Sequence, residues 1–302
     1  MRTLVIAIFG PTASGKTAVA EALARRVPAD VISADAMQVY RGLPILTNQS
    51  AHPARLVGIW PLEHDASVGA YAELAHAAVD EALEAGRTPI VVGGTGLYLR
   101  AALAELELPP TPPPGSRERW RLLYDEAGAE EAHAALARRD PAAAAVVHPN
   151  DRRRVVRALE LAEAGSSLVP ARDRLWSAET RRPTLIVGLE VAKPELDRRI
   201  DRRTRAMFEA GVEEEVRSAL AAPISATARK VLGLDEVATL PREEALAAIA
   251  ARTKRYAAYQ RKWMRRIPDL VSVAADRSPE EVADEILALG RERERLSPDR
   301  GA

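Results

Sequence analysis

A short segment near the start of the chain has the residue pattern of a phosphate-binding loop. Residues 10–17 match G-x-x-x-x-G-K-[ST], follow an apolar run at 4–9 and precede a helix-like run at 18–26. The glycines let successive N–H groups point at phosphate oxygens, while Lys16 supplies a positive charge and Thr17 a hydroxyl for Mg²⁺. The plainer alternative is a Gly/Pro turn with a solvated Lys16. A phosphate or diphosphate group is predicted to contact Gly10, Pro11, Thr12, Ala13, Ser14, Gly15, Lys16 and Thr17.

A carboxylate follows the next apolar segment. Residues 30–35 read Asp-Val-Ile-Ser-Ala-Asp, which predicts a strand that ends at Asp35. Ligands of open parallel sheets bind outside the carboxyl ends of the strands, so Asp35 is expected beside the phosphate loop. In that place it would hold Mg²⁺ through water or act as a general base, whereas the structural alternative is a cap for the following turn.

The third predicted strand ends in glycine rather than in an acid. Residues 88–92 form a buried strand pattern and are followed by Gly-Gly-Thr-Gly at 93–96. A motor ATPase or GTPase needs a carboxylate for Mg²⁺ at the end of such a strand, which leaves Asp35 as the well-placed acid. The glycines would form a tight turn or admit a ligand closely, and Thr95 would point its hydroxyl at that ligand.

One predicted helix near the end of the chain is strongly basic. Residues 252–266 contain seven cationic side chains and no acid. Helical spacing places Arg255, Tyr259, Lys262 and Arg266 on one face, and Tyr256, Gln260 and Trp263 on the adjoining one. The unbalanced cations favour contact with an RNA backbone, while Tyr256 and Trp263 are expected to pack in the core.

The order of predicted elements indicates an α/β fold with a parallel sheet in three layers. Strands at 4–9, 30–35, 88–92, 185–189 and 270–273 alternate with helices. Five prolines at 109–115 mark a boundary, and residues 116–165 then predict three or four helices, so that an all-helical insert interrupts the α/β core. The last helix is expected at 279–289, and the charged tail from Arg291 onward is expected to fray.

Composition excludes several other classes of protein. The chain of 302 residues has a net charge of zero and no cysteine, which excludes a disulfide framework and any Cys-ligated metal centre. Its five histidines lack the spacing of metal ligands. No apolar run is long enough for a membrane span, so we expect a soluble cytoplasmic protein. Basic residues cluster at 152–157, 198–205 and 252–266, and a neutral protein with such clusters can present one basic face.

Taken together and in order, several segments resemble the tRNA dimethylallyltransferases, also called tRNA isopentenylpyrophosphate transferases. These segments are residues 10–17, 33–42, 92–98 and 150–160, together with 253–265, which is similar to the family's C-terminal signature of Thr-Arg, Tyr-Ala, Gln and Trp. The resemblance implies a P-loop NTPase-like core at 1–108 and 178–302, and a helical insert at 109–177 that binds the anticodon stem-loop. It also implies transfer of a dimethylallyl group from dimethylallyl diphosphate to N6 of the adenosine 3′ of the anticodon.

The resemblance assigns roles to individual residues. Asp35 would accept a proton from the adenine amine, Thr95 would orient the reacting centre, and Arg203 would stabilise the departing diphosphate together with Lys16 and Mg²⁺ on Thr17. The neighbours Arg202 and Arg205 leave the register of that arginine open. The enzyme is expected to act as a monomer. Contacts with tRNA are expected from Asp35, Ala36, Met37, Gln38, Arg153, Arg154, Arg157, Lys230, Arg255 and Lys262.

The chain departs from the family pattern at four places. It has Ala36 where Ser is usual and Leu-Thr-Asn-Gln at 46–49 where Gly-Thr-Ala-Lys is usual. It also has Ala-Gly-Ser at 164–166 for Thr-Gly-Lys and Ala-Tyr at 258–259 for Lys-Arg. These positions are in expected RNA-contact regions, so they bear on tRNA contacts more than on the reaction. Three alternatives stay open: prenyl transfer to free adenine nucleotides, a small-molecule kinase that uses ATP, and a non-enzymatic RNA-binding protein.

Overall fold

Five parallel strands form one sheet in the part of the chain that the computed structural model describes, which is residues 4–110, 112–169 and 174–296. The strands are β1 (Val5–Phe9), β2 (Ala29–Ser33), β3 (Thr88–Gly93), β4 (Thr184–Glu190) and β5 (Leu270–Ala274). Their order across the sheet is β2-β3-β1-β4-β5, and every neighbouring pair is parallel. The observed sheet therefore confirms the predicted α/β class.

Twelve α-helices connect or follow these strands. They are α1 (Lys16–Ala24), α2 (Val68–Glu84), α3 (Gly96–Leu103), α4 (Ser116–Ala127), α5 (Ala129–Arg139), α6 (Pro141–Val146), α7 (Arg152–Glu163), α8 (Lys193–Glu209), α9 (Val212–Ala219), α10 (Leu234–Thr239), α11 (Arg242–Met264) and α12 (Pro279–Leu296) within the described ranges. Two units are distinguished: residues 1–105 with 175–302, which contain the sheet, and residues 106–174.

Helices cover both faces of the sheet in the first unit. Every residue of β1 is buried, as expected for a central strand of a parallel sheet. Its side chains alternate between the faces, and Ile6 and Ile8 pack in a cluster with Leu23 of α1 and Ile286 of α12. Ala7 and Phe9 are also fully buried, which requires packing on the opposite face. The continuous apolar run that predicted β1 is thus explained by burial on two sides.

β2 ends at Ser33, two residues before the end at Asp35 that the sequence predicted. The strand ends at Ser33, which pairs with Val92, and Asp35 lies two residues beyond it. The physical reason is a local turn in which the Asp35 carboxylate accepts the backbone N–H of Met37 at 2.9 Å. Asp side chains favour such turns over continued strand pairing. Asp35 therefore lies just past the carboxyl edge of the sheet.

The second unit is a helical bundle with its own core. It contains α4 to α7, so four helices are present where three or four were predicted. Asp140 caps α6 and Asp151 caps α7, each by accepting a backbone N–H three residues ahead. Its boundaries, 106 and 174, lie three residues before the predicted 109 and 177. The buried apolar core is formed by Ala132, Ala135, Leu136, Ala143, Val147, Val155, Ala158 and Leu159.

Three predictions about helices need correction or extension. α12 continues to Leu296, so the expected fraying from Arg291 was wrong as far as residue 296, and residues 297–302 lie outside the described part. Arg26 of the first unit hydrogen-bonds Asp284 of this helix, which helps to hold it. The sequence after the glycine turn predicts a helix over 97–107, whereas α3 ends at Leu103, and α10 was not predicted. No helix in the described residues has the length and apolar character needed to cross a bilayer.

Candidate active site

The phosphate-loop sequence forms the connection between β1 and α1. Two of its residues have left-handed backbone conformations, Ala13 with φ of 64° and Gly15 with φ of 94°. α1 begins at Lys16, so the N–H groups of the helix start face the loop. The Lys16 ammonium folds back and donates to the Pro11 carbonyl at 2.8 Å. The Thr17 hydroxyl makes no hydrogen bond with any described residue and is exposed.

Most of the site residues predicted in the phosphate loop and around Asp35 line one cavity of about 800 Å³ in the first unit. Residues 12–17 of the phosphate loop line it, and so do Asp35, Met37, Gln38 and Arg203. Gly10, Pro11, Ala36 and Thr95 lie beside the cavity rather than in its described lining. The prediction that Asp35 lies near the phosphate loop thus agrees with the geometry of the cavity.

Only one carboxylate oxygen of Asp35 forms a hydrogen bond within the described residues. Oδ1 caps the turn through Met37, whereas Oδ2 makes no hydrogen bond within the described residues. The side chain is half-buried and faces the cavity. Both sequence interpretations of Asp35 are therefore compatible with one side chain, because the cap fixes its orientation and leaves the second oxygen available for a proton.

Two cations share the electrostatic environment of Asp35. Burial lowers the pKa of the Lys16 ammonium to about 8; the Asp35 carboxylate opposes this shift and the Arg203 guanidinium adds to it. Burial also lowers the pKa of Arg203, again opposed by Asp35. A pair of converging cations with reduced hydration is a favourable arrangement for a multiply charged anion.

Arg203 of α8 forms no ion pair or hydrogen bond within the described residues, although the Asp35 carboxylate lies close enough to influence its pKa. Arg198 and Arg199 both pair with Glu195, at 2.7 and 2.8 Å. Arg203 is half-buried, yet no described residue forms an ion pair or hydrogen bond with it. Burial lowers the pKa of Arg203 despite the nearby Asp35 carboxylate, so holding the charged guanidinium is costly in the free protein. Its position in the cavity wall indicates a site for an anionic ligand, while Arg202 is exposed.

Thr95 supports the loop that carries Asp35. Its Oγ1 accepts the backbone N–H of Ala36 at 3.2 Å and lies 3.4 Å from the phenol oxygen of Tyr256. Burial raises the pKa of Tyr256, so this phenol stays protonated. The structure thus shows Thr95 contacting the residue next to Asp35, and a direct contact with the reacting centre remains a prediction.

The glycines at the end of β3 and in the turn that follows it leave room for helix α11 and for the backbone of Ala34. A Cβ on Gly94 would lie 2.2 Å from Nε2 of Gln260, and one on Gly96 would lie 2.1 Å from the Trp263 ring. A Cβ on Gly93 would meet the Ala34 carbonyl oxygen at 2.0 Å. The sequence suggested a tight turn or close approach of a ligand, and the close approach observed is that of other parts of the protein.

The basic helix α11 is less unbalanced than its own sequence indicates. Arg252 pairs with Glu236 of α10, and Lys254 pairs with Asp201 of α8 at 2.7 Å. The acids that its sequence lacks are thus supplied in part by other elements. Arg255 and Lys262 are exposed and have no ion-pair partner in the described ranges. Arg255, Lys262 and their exposed neighbours are therefore the part of α11 that remains available for the predicted RNA contact.

The aromatic residues of α11 pack as expected against the protein. Trp263 is half-buried and its ring lies 4.7 Å from that of Trp176, between ring centroids. The Arg266 guanidinium lies 3.6 Å above the Trp176 ring. Tyr259 is the exception, because it is 55% exposed at the edge of this cluster.

The other predicted tRNA-binding residues lie in three places. Met37 and Gln38 line the cavity, and the Gln38 amide is held by the carbonyl oxygens of Thr47 and Asn48 at 3.2 Å each. Lys230 is exposed in a short 3₁₀ turn of the first unit. In the second unit, Arg153 and Arg154 of α7 are exposed, whereas Arg157 of the same helix is half-buried and pairs with Glu160.

Two residues that contact segments distant in the chain were not predicted from the sequence. Glu215 of α9 accepts the backbone N–H groups of Ile45 and Leu46 at 2.9 and 3.1 Å, and so holds the segment that contributes residues 46–48 to the cavity. Arg100 is fully buried and donates to the carbonyl oxygens of Leu175 and Ser177. Neither residue belongs to a local motif, so the sequence alone offered no signal for these contacts.

Replacing Lys16 with Met is expected to raise the free energy of unfolding at pH 7 by about 1–2 kcal/mol. The pKa of Lys16 is lowered from 10.5 to about 8, so the folded protein holds the charged amine at a cost that exceeds the lost hydrogen bond to Pro11. This cost is fully present below pH 8 and disappears as the pH rises from about 8 to 10.5. Urea denaturation should therefore show the advantage of the variant shrinking above pH 8.

The control for this prediction is an exposed lysine on another helix. Lys193→Met should change stability little at any of these pH values, because Lys193 is exposed and makes only a surface pair with Asp197. A Lys16→Met variant that is less stable than the parent at pH 7 would contradict the conclusion that burial makes the charged Lys16 ammonium costly.

The fold and the cavity define a P-loop type of α/β protein, in which a phosphate loop lies at the carboxyl edge of a parallel sheet. Comparison with known proteins narrows this class. The IPP transferase family model matches residues 38–267, and the isopentenyl transferase model matches residues 3–59. The chain belongs to the IPP transferase family.

Individual relatives cover nearly all of the chain. The chain is 38% identical over 298 residues to the tRNA dimethylallyltransferase of Corynebacterium jeikeium, with 94% of this chain and 96% of the relative covered. It is 40% identical to the tRNA dimethylallyltransferase of Acidothermus cellulolyticus, and the match covers 87% of this chain and 86% of the relative. The crystal structure of the tRNA isopentenylpyrophosphate transferase from Bacillus halodurans matches with a TM-score of 0.68 at 30% identity, covering 98% and 99% of the two chains.

Proposed function

We propose that the chain transfers a dimethylallyl group from dimethylallyl diphosphate to N6 of the adenosine 3′ of the anticodon in tRNA. Relatives at about 40% identity bear the name tRNA dimethylallyltransferase. The observation that carries the proposal is a single cavity that contains a phosphate loop, two converging cations and a carboxylate with a free oxygen. This arrangement suits a diphosphate that leaves and an amine that must lose a proton.

The reaction assigns a separate task to each side of the cavity. The bond between the allylic carbon and the diphosphate oxygen breaks with its electron pair on the diphosphate, and negative charge grows there. The amide groups of the loop, Lys16 and Arg203 stabilise this charge. The adenine N6 forms the new bond to the allylic carbon, and its proton passes to Oδ2 of Asp35.

A magnesium ion fits the oxygen groups present at the loop. The Thr17 hydroxyl is exposed and free of other hydrogen bonds in the described chain, and hydroxyl oxygen is a suitable ligand for this hard cation. The described residues contain no cluster of three acidic or histidine side chains, so the diphosphate and water would complete the ligand set. Bound there, Mg²⁺ would neutralise diphosphate charge.

Recognition of tRNA is proposed to involve both units. The exposed cations Arg255, Lys262 and Lys230 of the first unit would contact phosphates, as would Arg153 and Arg154 of the second. The target base must leave its stack to reach Asp35, because that carboxylate faces the cavity rather than open solvent. Bound tRNA covering the cavity would also protect the allylic cation from water.

The test is a product assay with three acceptors. The chain is incubated with Mg²⁺, dimethylallyl diphosphate and either unmodified tRNA, AMP or ATP, and the nucleosides are then analysed by mass spectrometry. The proposal predicts dimethylallyl adenosine from tRNA only. Product from AMP or ATP alone would point to a free-nucleotide isopentenyltransferase, and phosphate transfer from ATP to a small molecule would point to a kinase.

Reversing the two free cations of α11 should weaken tRNA binding and flatten its salt dependence. The double substitution Arg255→Glu and Lys262→Glu removes two proposed phosphate contacts, so the slope of log K against log salt should become shallower by about 1.5. Filter binding between low and moderate salt measures this slope.

A second charge reversal serves as the matched control. Arg291→Glu with Arg295→Glu changes net charge equally on the exposed side of α12 and should leave the slope as it is. An unchanged slope in the α11 variant would exclude RNA contact by Arg255 and Lys262.

A further inference from the structure

The side chain of Gln260 joins the phosphate loop to the glycine turn after β3. It lies within α11 and is 2% exposed. Its Oε1 accepts the backbone N–H of Thr12 at 2.7 Å, and its Nε2 donates to the carbonyl oxygen of Gly94 at 2.8 Å. We propose that Gln260 is a positioning residue that holds the loop in the conformation that binds diphosphate. This inference rests on the proposed function of that loop.

The loop needs an external restraint because part of its backbone is strained. Ala13 has φ of 64°, a left-handed conformation that is unfavourable for a residue with a side chain. Such conformations persist only where the surrounding structure holds them. The Thr12 N–H belongs to the peptide between Pro11 and Thr12, one residue before the strained Ala13, so its hydrogen bond to Gln260 fixes the backbone just ahead of that residue.

Few other contacts could take over this restraint. The carbonyl of the same peptide, that of Pro11, accepts the Ser14 N–H and the Lys16 ammonium, and both of these donors belong to the loop and the start of α1. Among the described residues, the Gln260 amide is what ties this peptide to a distant element. The Ser14 hydroxyl is buried and has no hydrogen-bond partner in the described residues. The position of Thr12 therefore depends on a residue 248 positions away in the sequence.

The chemistry of the two partners selects glutamine at this position. One end of the side chain must accept from an N–H and the other must donate to a carbonyl, which a primary amide of this length does. Glutamate would repel the Gly94 carbonyl and place a negative charge in the wall that receives the diphosphate. Methionine has a similar length and shape but leaves both backbone groups unsatisfied.

Gly94 provides an independent way to disturb the same contact. A Cβ at this residue would lie 2.2 Å from Nε2 of Gln260, so Gly94→Ala must displace the amide. Gly96→Ala would instead meet the Trp263 ring at 2.1 Å. The two substitutions add the same methyl group to the same turn, and only the first acts through Gln260.

The experiment measures binding of inorganic pyrophosphate with Mg²⁺ to the full chain by titration calorimetry. Gln260→Met is expected to weaken binding about 10-fold or more, and Gln260→Glu further. With dimethylallyl diphosphate and tRNA, Gln260→Met should raise KM for the donor about 10-fold and change kcat less than 3-fold. General destabilisation would not produce that split. Urea denaturation verifies the folded state, and Gln260→Asn, too short to reach both partners, replaces any variant that does not fold.

A double-mutant cycle completes the test. Gly94→Ala should weaken pyrophosphate binding in the parent and have almost no further effect in Gln260→Met, whereas Gly96→Ala should act equally in both backgrounds. Additive effects of Gly94→Ala and Gln260→Met overturn the inference, and so does parental affinity in Gln260→Met. Failure of the parent itself to bind pyrophosphate overturns the proposed function, and this inference falls with it.

Discussion

Asp35→Asn is expected to lower kcat for prenyl transfer to tRNA by about 10³-fold, within the range usual for a general base. The substitution is nearly isosteric, and the Asn oxygen can still accept the N–H of Met37 and so keep the turn. What it removes is the basic oxygen, Oδ2, that has no partner in the described protein. Loss of activity would therefore report on the proton acceptor rather than on the shape of the loop.

Pyrophosphate binding gives the internal control for Asp35→Asn. The Asp35 carboxylate is a negative charge close to the anion site, since it raises the pKa of Lys16 against the effect of burial. Removing that charge should leave pyrophosphate affinity unchanged or increase it. Calorimetry with wild type and variant compares these affinities. A variant that retains kcat within 10-fold of wild type would exclude Asp35 as the base.

Arg203→Met is expected to lower kcat/KM for the prenyl donor by about 10²–10³-fold, the cost of removing one preorganised group from the developing charge. The guanidinium lines the cavity and forms no ion pair or hydrogen bond with any described residue, so its charge is available to the diphosphate. Because an unpaired and partly buried cation is costly, the variant should be at least as stable as the parent to urea. Steady-state kinetics with varied donor measures the effect.

The adjacent arginine supplies the control and settles the register left open by the sequence. Arg202 also lines the cavity but is exposed, so Arg202→Met should change kcat/KM less than 5-fold. A large loss at Arg202 with a small one at Arg203 would move the diphosphate contact by one residue. Equal, small losses at both would remove this helix from the diphosphate site.

The parts of the fold that depend on local sequence were predictable. The phosphate loop has a fixed spacing, and the buried strands read as short apolar runs; all five appear close to their predicted positions. The helical insert was visible because a proline-rich segment precedes it and turn residues separate its helices. Ends of elements were less reliable, as β2 and α12 show, because capping and tertiary contacts decide them.

The parts of the site that depend on distant contacts were not predictable. The sequence placed Gln260 on a helix face but carried no sign that its amide would reach Thr12 and Gly94. It also gave no sign that Glu236 and Asp201 would neutralise part of the basic helix. Such pairings arise from packing of elements far apart in the chain. These contacts show that the glycine turn makes room for helix α11, where the sequence had also allowed close approach of a ligand.

A structure of the chain with unmodified tRNA and an unreactive analogue of dimethylallyl diphosphate tests the central claim most directly. The distance to measure is that between Oδ2 of Asp35 and N6 of the adenosine 3′ of the anticodon. The account predicts hydrogen-bond distance, with the diphosphate held by residues 10–17 and by Arg203. A complex in which that adenine stays stacked in the anticodon loop, with Asp35 turned away from every RNA base, would contradict it.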